Sequence, residues 1–222
     1  GELDGYGGEF EGGPSEEVGS SSASQSGLYT NSENTYGLPG PGIVLSTGNV
    51  NDAGTRDSTD DFISTGFGNS ATAEQNALLS ITGTTSHFDP VQLDITFNVG
   101  DDVDTISFFA AFGSEEFPDF VGDFVDGFGM FLNGQNVAGA LPTGGVPGTD
   151  PLLPITIDHP DMTLLPGTAL DGVLAPNGSP ILRFDVPVQP GSTGNTFSVI
   201  IADSTDSAYD SVIYLSSFGN FD

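Results

Sequence analysis

VQLDITFNVGDDVDTISFFAAF, residues 91–112, decides the fold. In its first half Val91, Leu93, Ile95, Phe97 and Val99 share one face of an extended chain, with polar residues opposite. In its second half Ile106, Phe108, Ala110 and Phe112 repeat that two-residue period across a polar turn. The two runs read as consecutive short strands with a turn signal, GDDVD, between them.

Outward from this pair, short runs of the same kind recur between Gly, Pro, Asn and Asp. They are GIVLSTG (42–48), GFGMFLNG (127–134), LPITID (153–158), ILRFDVPV (181–188), NTFSVIIAD (195–203) and SVIYLSSF (211–218). Eight or so short strands with turn signals between them predict an all-β, single-domain β-sandwich, jelly-roll-like, with Gly/Pro-rich loops and little helix. One or two helical turns are expected in TAEQNALLSI (72–81), and residues 139–178, rich in Pro and Gly, read as a surface excursion. Residues 1–26 hold too little apolar material to order themselves and read as a flexible or partner-bound acidic segment. The sandwich is assigned to residues 27–222.

The 222 residues carry 31 acids against two Arg and no Lys, a formal net charge of -29. Phosphate neutralisation needs a basic surface, so nucleic acid is excluded as a partner. No apolar run is long enough for a membrane helix. With no Cys, disulfides and thiolate metal centres are excluded. Two readings of the acidity stand open: a surface adapted to high salt, or ligands for a hard divalent cation, Ca2+, which takes six to eight oxygens.

Three acidic clusters bear on that choice. The first is NVNDAGTRDSTDD, with Asn51, Asp52, Asp57, Asp60 and Asp61. The second is FGSEEFPDFVGDFVDGFGMFLNG (112–134), where Glu115, Glu116, Asp119, Asp123 and Asp126 alternate with six Phe. Carboxylates held beside a core need compensation, which the chain's own cations are too few to supply. The third is IIADSTDSAYDS (200–211), in which an apolar strand delivers Asp203 and the following loop adds Asp206 and Asp210. None fits the EF-hand spacing. The metal candidates are Glu115, Glu116, Asp119, Asp123, Asp126, Asp203, Asp206, Asp210, Asp52 and Asp57.

At these residues the sequence resembles the choice-of-anchor L domain family. Phe112–Val121 and Phe124–Leu132 look like its "FASEEYPEFV…FNDVFGFFL" signature, GIVLSTG like its first strand, and Ala202–Ser211 like its closing "IAD…D…YDS". The resemblance spans about residues 28–219. It implies an extracellular prokaryotic β-sandwich on or released from the cell surface, and it adds Ser114 and Tyr209 to the functional positions. Related adhesin modules bind calcium and capture peptides. Val125 replaces the family's Asn before Asp126, removing one oxygen. The β-forming segment that usually precedes the Ser20–Gly40 region is replaced by the Gly/Glu-rich tail.

That replacement motivates an expectation of self-assembly into a homopolymer: a neighbour donates the missing strand, either residues 1–18 or SVIYLSSFGNFD. The alternative is a peptide- or glycan-binding adhesin domain. A secreted hydrolase ranks last: adjacent Glu115 and Glu116 point apart on a strand, no GxSxG elbow occurs, and His87 and His159 read as solvated loop residues. Arg183 and Asp185 share a face and predict a surface ion pair. Asn177-Gly-Ser is a glycosylation acceptor motif consistent with export.

Overall fold

The computed structural model describes residues 24–32, 34–52, 63–72, 75–166, 168 and 170–219. The 1–23 segment, Arg56, Asp57, Asp60 and Asp61 lie outside the described residues, and with them the expectations placed there.

Eleven strands are described: β1 Ser26–Tyr29, β2 Gly42–Ser46, β3 His87–Phe97, β4 Thr105–Ser114, β5 Gly127–Leu132, β6 Gln135–Asn136, β7 Met162–Leu164, β8 Gly172–Leu174, β9 Leu182–Pro187, β10 Asn195–Ser204 and β11 Ser211–Gly219. The larger sheet runs β1-β2-β11-β4-β8-β7, with β9 alongside the N-terminal part of β4. The smaller runs β3-β10-β5-β6. All pairs between these strands are antiparallel. The expected all-β sandwich is therefore the observed architecture. β3 and β4 are consecutive yet lie in different sheets, so their linker crosses the sandwich and does not close a hairpin.

The two-residue period explains three layers of apolar packing. Ile106, Phe108, Ala110 and Phe112 of β4 face Phe128 and Met130 of β5 and Phe197, Val199 and Ile201 of β10 across the central core. The alternate residues are buried too. On the outside of the larger sheet, Val44, Ala111, Val173 and Val212 pack under Tyr36, Leu38 and Leu170. On the outside of the smaller, Phe131, Ile200 and Ala202 pack against Leu78 and Ile81. The latter pair come from a 3-10 turn at Gln75–Leu78 running into α1, Leu79–Thr82, the short helix expected there. Burial on both faces makes these strands near-continuous apolar runs.

Two expectations fail in this region. LPITID is not a strand: only isolated bridges, Ala140 to Leu153 and Gly127 to Thr156, hold it. Nor is 139–178 a surface excursion, since Ile155, Ile157 and Leu174 are wholly buried in the central core and β7 and β8 extend the larger sheet. Pro and Gly there serve to bend an inward-packing segment, which composition cannot distinguish from a loop.

The segment before Gly42 does contribute a strand. β1 pairs Ser26–Tyr29 with β2 and caps the larger sheet. SVIYLSSF, in contrast, forms β11 between β2 and β4. A strand engaged on both edges is not available for donation to a neighbour, so the C-terminal donor is withdrawn.

Candidate functional site

At one end of the sandwich β4, β10 and β2 finish while β5 and β11 begin. Five acids converge on these termini and are buried there: Glu115, Glu116, Asp126, Asp203 and Asp210. Asp126, fully buried, ties the two sheets together. Its Oδ1 accepts the Ser204 N–H of β10 at 2.7 Å and its Oδ2 accepts the Ser211 hydroxyl of β11 at 2.8 Å. Burial is the largest influence on it, and its carboxyl is pushed up to about 7 even though these bonds and one from Asp203 pull the other way.

Asp203 and Asp126 share a hydrogen bond between their carboxyls. It pulls Asp126 down and pushes Asp203 up. Burial followed by the Asp126 charge holds Asp203 well above the usual carboxylate range. Glu116 follows the same logic: burial first, then the charges of Asp126 and Asp206, push it up to about 10. Among the described residues no hydrogen-bond partner reaches Glu116 Oε2 or Asp203 Oδ1. Burying carboxylates in this way costs free energy unless a proton or a cation neutralises them.

Asp210 has a different task. Both its oxygens accept the Thr65 N–H, at 2.9 and 3.2 Å, and the Asn49 amide also donates to it. Burial nevertheless raises it to about 6, helped by the charges of Asp52 and Asp89. Gly48 lies directly against the Asp210 carboxylate, so any Cβ there would collide with it. Asp210 is thus a clamp on the backbone of the 47–49 and 63–65 segments. Asp52 accepts from the Asn49 amide at 3.3 Å and Thr65 at 3.5 Å in the same clamp. Asn51 donates its side-chain amide to Asn49 Oδ1 at 3.0 Å.

The remaining candidates sort by position. Asp206 is half-buried on the loop after β10, within charge range of Glu116. Ser114 is buried and its hydroxyl accepts the Glu116 N–H at 3.1 Å, fixing the turn after β4. Glu115 and Glu116 lie in the turn after β4 and not on the strand expected for them; the charge of Glu115 acts on Tyr36, while Asp126 and Asp206 act on Glu116. Tyr209, at φ 63, stacks on Phe120 with ring centroids 4.9 Å apart, joining the second and third acidic stretches. Asp119 and Asp123 are exposed on the 115–124 loop, outside the buried set; alternation with Phe did not bring them in, because Phe120 and Phe124 beside them stay out of the central core, which takes Phe112, Phe128 and, at its margin, Phe117.

Sequence reasoning missed Asp89. It is fully buried at φ 43, with Oδ1 accepting the Asn69 N–H at 2.9 Å and Oδ2 unpartnered. HFDPV reads as a turn, and only the structure makes it the start of an eleven-residue strand. The histidines are also corrected: both are buried. His87 meets the Thr82 hydroxyl at 2.8 Å and burial lowers its pKa; His159 Nδ1 accepts the Asp161 N–H at 3.2 Å. Arg183 forms the expected surface pair, Nε to the Asp185 carboxylate at 2.9 and 3.0 Å.

These acids supply only hard oxygen donors, the kind that suits calcium. Among the described residues, however, no group of three or more His, Asp or Glu side chains is placed so that it could hold a metal ion. The fit is one of donor type and burial, with Asp126 and Asp203 hydrogen-bonded to each other.

The sequence profile of the choice-of-anchor L domain matches residues 11–162. That range takes in the GIVLSTG strand and the 112–134 stretch and stops before Asp203–Asp210. No curated protein and no solved structure matches the chain. Choice-of-anchor domains are surface-associated extracellular modules and not a known enzyme family, and no helix of the described residues is long and apolar enough to cross a membrane. With more than half of its length matched, the chain belongs to the choice-of-anchor L domain family.

Proposed function

We propose that this extracellular module is stiffened by Ca2+ at the acidic end of the sandwich and serves in surface adhesion or assembly. The observation that carries the reading is the set Glu116, Asp126 and Asp203, buried, mutually repelling, with unpartnered oxygens on two of the three. A cation neutralises the group at neutral pH. Glu116, Asp126, Asp203 and the nearby Asp206 would hold it, and Ser204 Oγ, buried and unpartnered, adds a neutral oxygen.

Calcium at 100 to 1,000 times its Kd stabilises a fold by about 3–4 kcal/mol, which is roughly 5–15 °C in Tm for a domain of this size. Thermal melts at low ionic strength with and without EGTA test it. An unchanged Tm in chelator sinks the calcium reading, and full recovery by NaCl alone supports adaptation to high salt instead.

A second reading concerns the partner. From Pro90 to Phe97 the outer edge of β3 pairs with no strand among the described residues, its only bridge being Phe88 to Ser70. A long open edge accepts an added strand, and residues 1–18 of a neighbouring copy are the remaining donor. Sedimentation of the full chain in calcium decides between this and capture of peptides or glycans: a monomer at micromolar concentration ends the fibre reading.

A further inference from the structure

Asp89 stands beside the acidic end just described: its charge acts on Asp210 and is not among those acting on Glu116, Asp126 or Asp203. Its backbone sits at φ 43, a left-handed conformation uncommon for residues other than Gly, Asn and Asp. Two contacts hold it there. The Asp89 N–H donates to the Asn69 carbonyl at 2.8 Å, and the Gln25 amide donates to the Asp89 carbonyl at 2.7 Å. The side chain is thereby fixed, with Oδ1 on the Asn69 amide and Oδ2 aimed elsewhere without a donor.

What Oδ2 faces is the open side of Gly66. A methyl group placed on Gly66 would stand 3.6 Å from Asp89 Oδ2, 3.6 Å from the Ser207 carbonyl oxygen and 3.7 Å from Ser207 Oγ, with no other heavy atom nearer. A carboxylate, a carbonyl and a hydroxyl thus surround one small space. Gly66 does not have a left-handed φ, so its conformation does not require glycine; what the missing side chain provides is room.

We propose that the space bounded by Gly66, Asp89 and Ser207 is a second Ca2+ site, separate from the Glu116–Asp126–Asp203 acids. The donor set is all oxygen and mixes charged and neutral atoms, as calcium sites do. Calcium bonds oxygen at about 2.3–2.6 Å, so the three donors close in by roughly 1 Å on binding. The ion meets a buried carboxylate oxygen that has no hydrogen-bond donor among the described residues, and the neighbouring Asp210 adds negative potential around it. It also fastens the loop after β10, through Ser207, to the start of β3.

Gly66→Ala is the sharpest probe. Its methyl meets only ordinary contact distances, so the fold stands, yet it occupies the ion's place. Equilibrium dialysis of the full chain against radioactive calcium at low ionic strength, with circular dichroism as the folding control, is the measurement. Gly66→Ala and Asp89→Asn should each bind one calcium fewer than the wild type, while Asp203→Asn keeps this ion. Wild-type stoichiometry in both variants overturns the site and leaves the space to a water molecule. Loss in Gly66→Ala with none in Asp203→Asn upholds it while removing calcium from the acidic end. A wild type that binds no calcium overturns both.

Discussion

Asp126 and Asp203 are hydrogen-bonded to each other through their carboxyls where β10 meets β5, and burial raises both above the usual carboxylate range. A buried pair of this kind is neutralised by protons at low pH, which makes the acidic end sensitive to pH.

In EGTA, stability should be greatest in mild acid. Asp126 keeps its proton in the fold up to about 7 and Asp210 up to about 6, where the ordinary value is 3.8. Between those limits the folded chain binds more protons than the unfolded one. Their contribution is therefore complete below about pH 4 and lost as pH rises through 6 to 7. Tm measured from pH 4.5 to 8 should fall in chelator and flatten with calcium. A Tm rising with pH in chelator contradicts the burial of these acids. Adding 1 M NaCl to screen the net charge of -29 should leave much of the slope, because buried groups are screened little.

Replacing Gly48 with Ala should be costly although the substitution is small. The new Cβ lands on the Asp210 carboxylate, which must shift and release the Thr65 amide. A loss of about 1–3 kcal/mol is expected from an unmade buried hydrogen bond. Denaturant unfolding measures it, and a neutral Gly48→Ala would mean that Asp210 is not a clamp.

Asp119→Asn and Asp123→Asn should leave calcium stoichiometry and Tm unchanged within about 0.5 kcal/mol, as exposed changes usually do. Asp126→Asn should remove the link between sheets and reduce calcium binding at the acidic end. Parallel dialysis of the three variants checks this contrast; equal losses in all three would return the exposed loop to the site.

Phe128→Ala should destabilise by about 3–5 kcal/mol, the range for emptying an aromatic position in a packed core. Phe128 is wholly buried and touches Phe112 with centroids 5.4 Å apart. Arg183→Ala, whose ion pair is about half exposed on each side, should cost no more than about 1 kcal/mol.

Strand periodicity made most of the sandwich legible, because residues such as Phe108 and Val199 bury on alternate positions however the strands are ordered. The order itself was not legible. Nothing local to TISFFAAF says that its neighbours are SVIYLSSF and LRFDVP, since those pairings are set by packing across the chain. The acids were legible as a class and not as roles. Asp210, Asp203 and Asp119 look alike in sequence, yet one grips amides, one bonds another carboxyl and one meets water, according to which backbone groups the turns present. Asp89 and His87 were hidden for the opposite reason: Pro90 suggested a turn, and a strand edge with one side unpaired tolerates it.

The position of β11 has a consequence for how the larger sheet is held together. Residues 211–219 are the only described strand joining β2 to β4. The β1–β2 ribbon and the β4–β8–β7 block therefore meet through a single strand, and any change that weakens 211–219 uncouples one half of the larger sheet from the other.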